Sequence, residues 1–102
     1  MLNKKYAKVF INSTQRNIVR VEEIFNKTGF YEEDDLGMFI INLCAIRVAL
    51  EDVGEWELAA AAAKLAQGGK DKSITMMLTE TPVFLTGLRS VVEKLNRVIE
   101  AG

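Results

Sequence analysis

Residues 35–54 read DLGMFIINLCAIRVALEDVG. At about 100° per residue, with Cys44 as zero, Phe39, Asn42, Ile46, Ala49 and Val53 point to the opposite side, and Leu43 and Leu50 flank them. That arc is the expected core face of an amphipathic helix. The Cys44 side carries Ile40, Ile41, Arg47, Val48 and Glu51. Arg47 and Glu51 belong to types that are rarely fully buried unless paired, so this side is expected to face water. Yet Ile40, Ile41, Cys44 and Val48 are apolar or nearly so. A solvent-facing apolar strip framed by charges is a reasonable docking surface for a partner. The alternative is that a neighbouring helix of the same chain covers it.

The flanking sequence supplies three more helices. Over residues 4–27, Ile11, Ile18, Val21 and Phe25 fall on one stripe, which Phe10 and Ile24 widen. Gly29 is the expected stop. The run Glu32-Glu33-Asp34-Asp35 sits where the central helix should begin, with Asp34 as its expected N-cap. That helix is expected to continue to Val53 and stop at Gly54. A third is predicted over residues 55–67, through the alanines of 59–63, ending at Gly68-Gly69. A last helical region spans residues 73–101, with Pro82 expected to break it or to begin a new first turn. Beyond that point Leu85, Leu88, Val92, Leu95 and Ile99 recur at helical spacing. No strand pattern, Gly-rich phosphate loop or internal repeat competes. Amphipathic helices with short joints predict an all-α fold, an antiparallel up-down four-helix bundle occupying residues 1–102 as one domain.

Composition narrows the chemistry. The chain has 102 residues, 49% hydrophobic and 26% charged, which suits one folded domain and is too apolar for disorder. Thirteen basic residues against fourteen acidic ones leave no basic surplus, so a nucleic-acid partner is not expected. Histidine is absent, which removes imidazole acid–base catalysis and imidazole metal ligation. The one cysteine, Cys44, permits neither an internal disulfide nor a Cys-rich zinc site. The apolar run at residues 38–41 is far short of a membrane span, and polar residues 12–17 argue against a signal peptide. The expectation is a cytoplasmic protein that is not an enzyme, with no cofactor, no metal and no membrane partner.

The central stretch also carries a family resemblance. Asn42-Leu43-Cys44-Ala45-Ile46-Arg47-Val48-Ala49-Leu50-Glu51-Asp52-Val53-Gly54 resembles the signature of histidine-containing phosphotransfer (HPt) domains. These carry a phosphoryl group on a helix-borne histidine between receiver domains in phosphorelays. Their motif is a histidine, a basic residue three places on, a small residue directly after it, and a glycine ten places after the histidine. Arg47 matches the basic position and Gly54 the glycine, while Ala49, Leu50 and Val53 match the small and apolar positions between. Residues 30–41 resemble the acidic entry into that helix. Glu57-Leu58 and Ala62, Lys64 and Leu65 resemble the next one. Asp71-Lys72, Glu80-Thr81-Pro82-Val83-Phe84-Leu85 and residues 88–95 look like the closing helix of HPt domains attached to bacterial hybrid kinases. No single piece is specific; the order of several is. The resemblance covers roughly residues 10–100 and fits either a free-standing domain or a piece of a larger kinase.

Two departures decide what it implies. Cys44 holds the position of the phosphorylatable histidine, and Val48 stands where the family has Gly or Ser. The imidazole nitrogen attacks the aspartyl phosphate of a receiver; Cys44 offers no such nitrogen, and no histidine base is present to activate its thiol. A β-branched side chain at 48 crowds the approach of a receiver. Neither change should harm folding. The resemblance therefore implies a degenerate HPt-like module with no catalytic residue. It would bind a response-regulator receiver domain, or a hybrid histidine kinase that carries one, through Ile40, Ile41, Cys44, Arg47, Val48 and Glu51. An adaptor of HPt ancestry with an unrelated partner, and a phosphocarrier using Cys44, are the other readings.

Remaining residues have structural explanations beside functional ones. Cys44 is an apolar filler or a redox sensor; Arg47 pairs with Glu51 at i+4 or with a partner's carboxylate or phosphate. The acidic run at 32–35 is a solvated helix start rather than a metal site. Trp56 belongs to a docking rim or packs at the bundle end. Met76-Met77 is expected in the core, and Asn42 is expected to hydrogen-bond a neighbour.

Overall fold

The computed structural model describes residues 4–27 and 33–101. Helix α1 runs Lys4–Lys27, α2 Glu33–Asp52, α3 Trp56–Lys70 and α4 Ile74–Ala101. No other regular element occurs among the described residues. Three-residue joints at 53–55 and 71–73 turn the chain back on itself, so successive helices run antiparallel. Packing joins α1 to α2, α2 to α3, α3 to α4 and α4 back to α1, and the diagonal pairs do not approach closely through their backbones. The result is the expected up-down four-helix bundle, 44 Å long. At 1.5 Å per residue the 28 residues of α4 alone nearly fill that length. No helix among the described residues is long and apolar enough to cross a membrane.

All four helices feed one core. Phe10, Val21 and Ile24 meet Phe39, Leu43, Ile46 and Leu50 of α2, Leu65 of α3, and Met77, Phe84, Leu88 and Leu95 of α4. The expected burial of Met77 is met, with Met76 half-buried against the core. In α1 the innermost residues are Ala7, Phe10, Thr14, Val21 and Ile24. Ile11, Ile18 and Phe25, expected at the centre of the stripe, are half-buried at its edge. Ile11 and Ile18 line a groove between α1 and α4 with Val92. Thr14 takes an inner position because its hydroxyl donates to the carbonyl of Phe10 one turn back, at 2.5 Å.

The helix ends differ from expectation in an instructive way. α2 closes as foreseen at Gly54, whose φ of +78° is left-handed. Its N–H bonds the Glu51 carbonyl and that of Glu55 bonds the Leu50 carbonyl, the two bonds of a Schellman stop. α3 does not end at Gly68-Gly69 but continues to Lys70. Both glycines are buried. A Cβ on Gly68 would meet Met76, and one on Gly69 would meet Ile40, so they serve close packing rather than termination. The stop falls at Lys72, at φ +56°, with Lys72 N–H on the Gly69 carbonyl and Ser73 N–H on the Gly68 carbonyl. Nor does Pro82 interrupt α4, which is continuous through it. The proline is exposed, so the solvated side of the helix bears the missing hydrogen bond. Asp34 is not an N-cap: it lies in the first turn of α2 with Glu33 and Asp35, where the helix dipole favours carboxylates. The stop expected at Gly29, and Glu32, lie outside the described residues.

Candidate docking face on the second helix

The buried face of α2 consists of Leu36, Phe39, Asn42, Leu43, Ile46 and Leu50. It is turned toward α3 by about half a residue step relative to the predicted arc. Ala49 and Val53, predicted as core, are half-buried, and both line a groove against α1. Asn42 is buried and donates through Nδ2 to the Met38 carbonyl at 2.7 Å, so its partner is its own helix.

That rotation sets where each candidate residue lies. Ile41 (63% exposed) and Val48 (48% exposed), seven positions apart, form the outermost ridge. Exposed Ala45 lies between them and Met38 continues the ridge. These side chains are not covered by a neighbouring helix. Ile40 and Cys44 are half-buried and pack on the core from its edge. Ile40 leans onto α3, where its Cγ1 closes over Gly69. It borders the strip rather than forming its surface, and Cys44 sits on the shoulder of the ridge, neither interior nor fully outward.

Arg47 Nη1 reaches both carboxylate oxygens of Glu51 at 3.2 Å, and each side chain is about one-third exposed. A helical i,i+4 pair of this kind is worth about 0.3–0.5 kcal/mol. Arg47 can therefore exchange Glu51 for a stronger anionic partner at small cost. Cys44 has no histidine anywhere in the chain to act as its base. No group of three or more Cys, His, Asp or Glu with metal-site geometry occurs among the described residues.

Trp56 opens α3 just beyond the end of α2 and is 66% exposed, so it does not pack into the bundle end. The joint before it is fixed by Glu55, which forms an ion pair with Lys94 of α4. Sequence spacing found the exposed ridge but missed the close approach at Gly69. The signal was present as two adjacent glycines preceded by an alanine-rich run, a pattern of close helix contact. No protein-family model, no curated protein and no solved structure matches this chain.

Proposed function

We propose that this protein is an HPt-like phosphorelay module that binds response-regulator receiver domains and does not carry phosphate. The observation that carries the reading is the position of Cys44. It sits mid-way along the second helix of an antiparallel bundle, on the shoulder of an exposed ridge, with Arg47 three places on and the left-handed Gly54 closing the helix. The HPt signature puts its phosphohistidine, basic residue and glycine at those three positions. The side chain at 44 can neither attack an aspartyl phosphate as imidazole does nor be replaced in that role by any other residue, since the chain has no histidine.

Ile41 and Val48 give the ridge an apolar surface that favours association. Binding without transfer makes the module a competitor of active phosphotransfer domains, one that damps a relay. The reading sets it in the cytoplasm, with a receiver domain or a hybrid histidine kinase as its partner. The test is to titrate the protein with purified receiver domains and follow both complex formation and transfer of labelled phosphate. Saturable binding with no label on this chain is the expected outcome. Failure to bind any receiver removes the proposal.

A further inference from the structure

Charge is distributed along this chain in a way the proposed docking ridge does not use. Residues 4–21 carry Lys4, Lys5, Lys8, Arg16 and Arg20 and no acidic residue, leaving eight basic against fourteen acidic residues in the rest. Lys5, Arg16 and Arg20 are exposed and fall with Val9 in one row along α1, at steps of four, seven and four. The row spans about 22 Å. Lys8 is exposed one step further round. Arg20 is tied to Glu23 at 3.5 Å, but Lys5, Lys8 and Arg16 have no ion-pair partner among the described residues.

This arrangement is unfavourable within the molecule. Cations at a helix N-terminus oppose the helix dipole, and the first turn of α1 contains no acidic residue to offset them. The same chain places Glu33, Asp34 and Asp35 at the start of α2, where the dipole favours them. Lys5 and Val9, at the N-terminal end of the row, line one wall of a groove of about 380 Å³, with Ala49, Asp52 and Val53 of α2 on the other. The lysine end of the row thus faces, across this groove, the helix that carries the Ile41–Val48 ridge.

We infer that this arrangement selects a protein partner presenting a row of carboxylates beside an apolar patch, with the carboxylates set against Lys5, Lys8 and Arg16. The inference rests on the reading proposed above, under which that partner is a receiver domain, and adds which receivers are bound: those with an acidic rim. The cations steer encounter, and the ridge holds the complex.

The test compares the wild-type chain with K5E/R16E against a panel of receiver domains at about 50 and about 300 mM salt. K5E places a carboxylate near the start of α1, where the dipole favours it, but across a groove from Asp52, so the melting curve of the variant is recorded beside that of wild type and binding is compared where both are folded. Against the receivers it binds, wild type is expected to lose roughly tenfold in affinity as salt rises, and the variant to lose at least as much at low salt. Receivers that bind equally well to both chains, or without regard to salt, overturn this inference and leave the receiver reading standing. A panel that binds neither chain overturns both. Retention of wild type, but not the variant, on vesicles of anionic phosphatidylglycerol in place of any receiver assigns the basic row to a membrane and overturns the inference as well.

Discussion

Cγ1 of Ile40 in α2 stands 2.8 Å from the point that a Cβ on Gly69 of α3 would occupy. Ile40 is β-branched and packed at the core edge, so it cannot swing aside freely. Replacing a helical glycine by alanine ordinarily adds about 0.5–1 kcal/mol. At Gly69 the clash is expected to reverse that sign, and Gly69→Ala should lose about 1–3 kcal/mol. Gly68 is the control. The nearest atom to its added Cβ is the terminal methyl of Met76, the free end of a flexible side chain. Gly68→Ala should be at least as stable as wild type. Denaturant unfolding of the two variants checks the difference; equal stability would mean α2 and α3 do not approach as described.

Lys72 occupies a left-handed position that glycine fills more cheaply, by about 1–2 kcal/mol. Its ion pair with Glu33 joins two largely exposed side chains and contributes little. Lys72→Gly is therefore expected to raise stability by about 1 kcal/mol. Gly54→Ala is the mirror case. A Cβ there touches nothing within 4 Å, so the whole cost is backbone conformation, expected at about 1 kcal/mol of lost stability. Thermal unfolding of both variants reads the opposite signs.

Thr81 is fully buried, and its Oγ1 finds no hydrogen-bond partner among the described residues. Valine has the same shape and branching without the hydroxyl. Thr81→Val should stabilise the bundle by about 1–2 kcal/mol, because a desolvated polar atom is removed and nothing is left unpaired. A loss of stability in the unfolding curve would show that the hydroxyl is satisfied after all.

Much of the architecture was legible in the sequence, and the errors share one cause. Helix spacing located α1, and Gly54 was legible as a stop, because both follow from local chemistry: an unbroken apolar period and a residue free to adopt positive φ. Gly68-Gly69 looked like a stop and Lys72 did not, because a glycine signals either a turn or a close approach, and only the neighbouring helix decides which. Pro82 signals a break or a new first turn because its missing N–H costs about 3 kcal/mol in a helix interior; packing of Phe84, Leu85 and Leu88 on the core holds α4 through it. The rotation of α2 was likewise a tertiary matter. Small residues on α3 draw the Ile40 side inward, which leaves Ile41 and Val48 as the ridge and Cys44 on its shoulder. The residues of the proposed docking face follow from their spacing, but their relative exposure is set by the neighbouring helix.

Under the proposed function, phosphotransfer is lost through Cys44 and Val48 on an otherwise intact docking face. The most direct measurement is transfer of labelled phosphate from a phosphorylated receiver to the double variant Cys44→His, Val48→Gly, with wild type alongside. Acid-labile label on the variant and none on wild type is the predicted result. A variant that stays unlabelled by every receiver tested, while folded as wild type, would contradict it.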